Sequence, residues 1–213
     1  MSEQGLREGI VRTMRLMEER GLNRGTSGNV SARFEGGILV TPSGVAPQDL
    51  TASTVVFVGA DGESPEGSMR PSSEWRMHAG LYARRPDICA IVHCHARHAT
   101  ILACAGKAIP SLHYMVGVCG RPGVPLAPYH PFGSVELAEA VADAMDGGYA
   151  CLMANHGLIA AAGKLDRALA IAEEMEEQAA VYWGTLSIGG PTLLSDEQMA
   201  DVMQRFKGYG QPR

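Results

Sequence analysis

The chain has 213 residues, 46% hydrophobic and 19% charged, a balance that supports one ordinary buried core and predicts a single domain over residues 1–213. Its formal net charge of −5 and isoelectric point near 5.8 argue against a nucleic-acid binder, which needs a basic face. A small anion is not excluded, because a few local N–H donors and a cation can hold a phosphate against an unfavourable global charge.

Taken in chain order, Leu6, Ile10, Met14 and Met17 have helical spacing and predict an amphipathic helix over 3–20, ended by Gly21. Leu22 to Ser31 is rich in glycine, serine and asparagine and reads as a loop. Residues 37–41 read as a strand stopped by Pro42-Ser43-Gly44, and 54–58 as another running into an Asp61-Gly62 turn. The segment 72–85 has Glu74, Met77, His78 and Leu81 on one helical face. The apolar run 88–92 predicts a strand over 87–95, and 98–105 a short helix closed by Gly106. Ser134 can cap a helix to Met145, and 149–155 reads as a second buried strand that 158–161 continues. A long helix is expected over 166–186, and Ser195 to Gln198 has the form of a capping box opening a helix through Phe206. Helices and strands interleave without repeat or linker, so the class is α/β or mixed α+β.

Five cysteines (Cys89, Cys94, Cys104, Cys119, Cys151) are an odd number without a CxxC pair, and they read as buried, reduced thiols. The start MSEQGLREGIVRTM lacks the apolar segment of a signal peptide, and no apolar run reaches membrane-spanning length. The expectation is a cytoplasmic protein with no membrane contact.

His93 and His95 stand one residue apart at the end of a predicted strand. Side chains of a strand alternate faces, so both imidazoles point one way and Cys94 the other. Two nitrogen donors on one face suit a zinc-like ion, although a lone His-x-His also occurs at polar strand ends without one. His156 adds weight, since it also closes an apolar stretch, and Glu74 can add a carboxylate as ligand or base. Three protein nitrogens with an open position is the form of a catalytic metal site. His78, His98, His113 and His130 read as supporting or surface residues. Three small-residue loops, Thr26-Ser27-Gly28-Asn29, Ser43-Gly44 and Ser72-Ser73, offer donors to an anion, the last at a predicted helix N-terminus. Because Glu74 follows Ser72-Ser73 directly, a phosphorylated substrate anchored there would reach the metal with its other end.

The segments GLNRGTSGNVSAR, ILVTPSG, PSSEWRMH, IVHCHARHA, IPSLHYMV, NHGLIA and FKGYG resemble the class II aldolase/adducin-head family, most closely its bacterial L-fuculose-1-phosphate aldolase branch. The resemblance spans nearly the whole chain. It implies an α/β/α sandwich around a mostly antiparallel sheet flanked by helices, and a homotetramer of four-fold symmetry with active sites between subunits. It also implies zinc, or another divalent metal such as manganese or cobalt, on His93, His95 and His156, with Glu74 as the catalytic carboxylate and further ligand. Gly28, Asn29, Ser43, Gly44, Ser72 and Ser73 match phosphate contacts. Tyr114 matches the acid lent by a neighbouring subunit, and Phe132, Phe206 and Tyr209 match apolar walls and a C-terminal tail.

The implied reaction is reversible cleavage of a ketose 1-phosphate to dihydroxyacetone phosphate and an aldehyde, the metal acting as Lewis acid. The substrate is fuculose 1-phosphate or a 5-deoxy- or 5-methylthio-pentulose 1-phosphate, which a hydrophobic pocket separates only weakly. The 4-epimerase relatives usually carry aspartate where this chain has Glu74, and a stretch longer than the 61 residues from His95 to His156. Related dehydratases and decarboxylases keep a glutamate, so Glu74 does not separate them. Adducin-like interaction modules lose the metal histidines, which this chain retains.

Overall fold

The structure is a computed structural model that describes residues 2–208, so Tyr209 of the expected apolar wall lies outside the described residues. Six helices are found among them: α1 (Glu3–Glu19), α2 (Trp75–Arg84), α3 (Arg97–Cys104), α4 (Val135–Ala144), α5 (Leu165–Leu186) and α6 (Asp196–Phe206). The strands are β1 (Asn29–Phe34), β2 (Gly37–Val40), β3 (Val56–Val58), β4 (Ala90–Cys94), β5 (Leu126–Ala127), β6 (Ala150–Met153) and β7 (Gly157–Ala162). No helix is long and apolar enough to cross a membrane.

Local chemistry starts and stops these helices where the sequence signals it. Ser2, Ser134 and Ser195 accept from the backbone N–H groups of Gly5, Leu137 and Gln198, and Ser195 with Gln198 completes the expected capping box. After α1 the chain turns at Gly21, whose φ of 75° is costly for any residue with a side chain.

The strands form one sheet in the order β3-β2-β1-β4-β7-β6-β5. All neighbours are antiparallel except β5 and β6, which makes the sheet mixed, though mostly antiparallel as expected. Helices α1, α3 and α5 cover one face and α2 with α4 the other, giving the α/β/α layering. Alternation along β4 sorts its residues accordingly. Ala90, Val92 and Cys94 enter the core under α5, whereas Ile91 enters the core under α2 and α4.

Three expectations are corrected. The loop read over 22–31 ends early, because β1 begins at Asn29 and pairs with both β2 and β4. Its polar residues face α2 rather than solvent, so the period-2 pattern of a half-buried strand is disguised. The segment 158–161 does not continue the preceding strand. Asn155 takes a left-handed φ of 54° and turns the chain back, so β7 lies antiparallel against β6. Cysteines 94, 119 and 151 are buried, but Cys89 precedes β4 with its side chain outward and Cys104 ends α3 on its open side, so both are exposed. All five are unpaired thiols.

Leu81, fully buried on the face that α2 turns to the sheet, tests this packing. Leu81→Ala should lower unfolding free energy by about 2–5 kcal/mol, measured by urea denaturation.

Candidate metal centre and anion cavity

The sheet edge where β4 ends is also where β1 and β7 begin. His93 near the end of β4 is therefore flanked in register by Asn29 on one side and Ile159 on the other. His95 lies just past the strand. His156 occupies the β6–β7 turn rather than a strand end, and the turn is fixed from two sides. Asn155 N–H donates to Ala103 O at the end of α3 (3.2 Å), and His156 N–H donates to Met153 O (3.1 Å). The fourth component, Glu74, is the residue immediately before α2.

These separate elements bring three imidazoles into one cluster. Ring centroids lie 5.0 Å apart for His93–His95, 4.8 Å for His93–His156 and 5.1 Å for His95–His156. One nitrogen from each lies within 4.8 Å of the others, which makes this the one potential metal group of three or more side chains among the described residues. The Nε2 atoms of His93 and His95 are 3.2 Å apart. Glu74 closes the cluster, with Oε2 3.2 Å from His93 Nε2 and Oε1 3.1 Å from His156 Nε2.

The donor set fits a divalent metal. The carbonyl of Leu158 can only accept, so His93 Nδ1–H donates to it at 2.9 Å and Nε2 is the atom turned to the cluster. Asn29 Nδ2–H donates to Glu74 Oε2 at 2.9 Å, while buried Oε1 receives no hydrogen bond. Burial alone would push the Glu74 carboxyl up, but the charge of His93 and the contacts with His156 and His93 hold it well below the usual carboxylate range. Burial, then the charges of His93 and His156, brings His95 down to about 4. His93 moves the other way, raised by the Glu74 carboxylate against the effect of its burial. The ionised Glu74 carboxylate and the neutral His95 imidazole are in the state a metal ligand requires, and a cation on His93 would take the place of a proton.

Above the cluster opens a cavity of about 330 Å³, ample for a small phosphorylated molecule. All six expected phosphate contacts, Gly28, Asn29, Ser43, Gly44, Ser72 and Ser73, line it together with Glu74, His95, His156 and Phe132. His93 is fully buried behind Glu74 and is not part of the lining. Gly28 is dictated by space as well as by its φ of 72°. A Cβ there would come 2.3 Å from the Asn23 amide nitrogen and 2.6 Å from the His93 carbonyl. Tyr114 and Phe206 are not part of this lining. Tyr114 is half-exposed on a 3-10 turn over Tyr114–Cys119, and its ring centroid lies 6.4 Å from that of Phe206.

The remaining histidines have separate roles. His98 pairs with Glu176 at 2.8 Å, and that carboxylate also accepts from the N–H groups that open α3. The His113 ring accepts from Met115 N–H, and His78 is buried on the sheet-facing side of α2. His130, read as a supporting residue, instead lines the cavity beside Tyr129 and Asn155, neither of which the sequence singled out. The signal for the first two was the aromatic Tyr129-His130-Pro131-Phe132-Gly133 run. Its Gly133 packs against Ser73, where a Cβ would lie 2.6 Å from the carbonyl. Asn23 was also missed, although its Oδ1 accepts from His95 N–H at 3.1 Å and its amide packs against Gly28.

Comparison with known proteins places these features in a wider set. The Class II Aldolase and Adducin N-terminal domain family matches residues 8–183. A 5-methylthioribulose-1-phosphate/5-deoxyribulose-1-phosphate aldolase of Rhodospirillum rubrum is 43% identical over 205 residues, 96% of this chain and 92% of the relative. An L-fuculose phosphate aldolase of Escherichia coli is 44% identical over 211 residues, 99% of this chain and 98% of the relative. A solved L-fuculose 1-phosphate aldolase structure superposes with a TM-score of 0.93 at 37% identity, covering 97% of this chain and 98% of that one.

Zinc added to metal-depleted protein should raise the unfolding free energy, by about 2.7 kcal/mol once free metal is a hundred times its Kd. His93→Ala should remove that gain, measured by thermal denaturation with and without metal.

Proposed function

The chain belongs to the Class II Aldolase and Adducin N-terminal domain family, and we propose that it is a zinc-dependent aldolase cleaving a ketose 1-phosphate reversibly to dihydroxyacetone phosphate and an aldehyde. The observation that carries this reading is the buried Glu74 carboxylate, set between His93 and His156 at the floor of a cavity rimmed by three donor-rich loops.

In this mechanism Gly28, Asn29, Ser43, Gly44, Ser72 and Ser73 receive the phosphate through backbone N–H groups, hydroxyls and one amide. Local dipoles of this kind hold an anion despite a net charge of −5. His93, His95, His156 and Glu74 hold the divalent metal. When bound, the cation supplies Lewis-acid polarisation of the substrate carbonyl and stabilises negative charge as the carbon–carbon bond breaks. Glu74 moves the proton at the carbon next to that carbonyl. In cleavage it delivers the proton that completes dihydroxyacetone phosphate; in the aldol direction its carboxylate takes it back. The two oxygens divide the work. Oε2 is anchored by Asn29, and Oε1, which faces His156 at 3.1 Å, is the one left to carry the proton.

In the aldol direction Tyr114, from a neighbouring copy in a four-fold tetramer, donates a proton to the aldehyde oxygen; in cleavage the sugar hydroxyl returns that proton to it. The half-exposed Tyr114 hydroxyl, outside its own chain's cavity, suits that use. Phe132 on one chain, with Phe206 from a neighbour, walls the aldehyde end. The protein works in the cytoplasm, where five free thiols persist. Identities of 43% and 44% to relatives with different named substrates leave the aldehyde to be measured.

The test is release of dihydroxyacetone phosphate by metal-loaded protein from fuculose, rhamnulose, ribulose, 5-deoxyribulose and 5-methylthioribulose 1-phosphates. Release is expected from at least one. A dehydrated or decarboxylated product instead would move the reading to a sister branch. Glu74→Gln should cost cleavage at least about a hundredfold while metal stays bound; full retained activity would refute the role.

A further inference from the structure

The layer between β1 and α2 contains a line of polar contacts in surroundings that are otherwise apolar. Asn29, Ser31 and Arg33 share one face of β1, while Val30 and Ala32 between them point into the opposite core. Each of the three reaches α2. Asn29 donates to Glu74 Oε2 at 2.9 Å. Ser31 Oγ lies 2.7 Å from His78 Nδ1 and 2.8 Å from the Tyr82 hydroxyl. Arg33 donates to the carbonyls of Tyr82 (2.7 Å), Arg85 (2.9 Å) and Ile88 (3.0 Å) at the far end of the helix.

The spacing of the two elements makes this a ladder. Glu74, His78 and Tyr82 recur every four residues and form one stripe of α2 and its cap. Four helical residues rise about 6.0 Å, close to the roughly 6.6–6.8 Å of two strand residues, so strand and helix stay in step over these rungs. The middle rung is costly. Ser31 and His78 are fully buried and Tyr82 nearly so. Burial, helped by the charge of His93, brings His78 down to about 3, and burial raises the Tyr82 phenol, so both side chains are neutral. His78 Nε2 has no hydrogen-bond partner at all. Apolar residues fill this interface without such a cost, as Met77 and Leu81 on the same helix do.

What the middle rung adds is direction. Apolar packing tolerates small sliding of a helix, whereas a hydrogen bond at 2.7 Å does not. That matters here because Glu74 occupies the cap position of α2 without making a side-chain cap. Its carboxylate is turned into the metal cluster, and its backbone N–H is held only by Ser72 Oγ at 3.3 Å. We propose that the Ser31–His78–Tyr82 bridge positions Glu74. It fixes the height of α2 on β1, and through Asn29, which pairs with His93 on β4, it sets where the carboxylate meets the histidines. His78 is then a positioning residue. Its catalytic consequence rests on the proton-transfer role given to Glu74 above.

Cobalt(II) is the probe, because its visible spectrum responds to the ligands around it. His78→Leu should change that spectrum. It should also lower kcat for ketose 1-phosphate cleavage at least about tenfold, with KM held within about twofold, as misplacement of a reacting group does. His78→Asn, which keeps a polar atom near the place of Nδ1, should recover the wild-type spectrum and kcat to within about threefold. Ser31→Ala removes the rung with the loss of one atom and should act in the same direction even where His78→Leu folds poorly. Leu81→Ala, which weakens the same interface without touching a rung, should lower stability yet leave the spectrum and kcat unmoved. An unchanged spectrum in both His78→Leu and Ser31→Ala overturns the proposal. So does His78→Asn behaving like His78→Leu, or Leu81→Ala shifting the spectrum equally. If wild-type protein cleaves no ketose 1-phosphate, the aldolase reading fails on its own, and the cobalt spectra still decide whether the bridge positions Glu74.

Discussion

A glutamate only 7% exposed, Glu74, governs the arrangement of this protein's functional edge. An ionised side chain taken out of water is expensive unless charge or hydrogen bonds replace the lost solvation. Glu74 finds that compensation in His93, His156 and Asn29, three residues carried by three separate segments of chain. Each must arrive at the same sheet edge for the carboxylate to be tolerated. The antiparallel order β1-β4-β7 accomplishes this, because the end of one strand lies between the beginnings of two others.

Around that centre the backbone does much of the selecting. The Gly28 loop passes so close to Asn23 and to the His93 carbonyl that no side chain fits there. Asn23 packs against that loop and accepts from the His95 N–H, so one buried amide touches both the cavity rim and the segment that carries a cluster histidine. On the other side, Ala103 at the end of α3 fixes the turn that carries His156, and α3 is itself held by Glu176 of α5. The turn that carries His156 is thus braced from α3, while His93 lies on the α2 side of β4 and meets the carboxylate there directly.

The net charge of −5 is compatible with the anion-binding role proposed for the cavity rim. The rim uses glycine, serine and asparagine, whose N–H, hydroxyl and amide groups attract an anion through fixed dipoles without adding formal charge. A cation held by the histidines would supply the remaining attraction, and in this family the chemistry is metal-dependent. Global charge therefore says little about the ligand of so local a site.

Much of this was legible in the sequence, because the signals involved are short-range. Helices α1, α4, α5 and α6 follow from apolar spacing and serine caps. The His93/His95 pair follows from strand alternation, and the donor loops follow from composition. β1 was hidden because Asn29, Ser31 and Arg33 are polar on a buried face, and only the polar stripe of α2 opposite them makes that pattern sensible. The reversal at Asn155 was hidden because asparagine accepts left-handed backbone geometry without a glycine to announce it. The parts played by Asn23, Tyr129, His130 and Asn155 depend on which loops fold over one another, and no spacing along the chain encodes that. The sequence by itself determined which residues could bind a metal and an anion, since ligand chemistry belongs to side-chain type. Tertiary structure alone decided that they share one cavity and that Glu74 turns one oxygen to Asn29 and the other to His156, because those facts come from strand order and helix height.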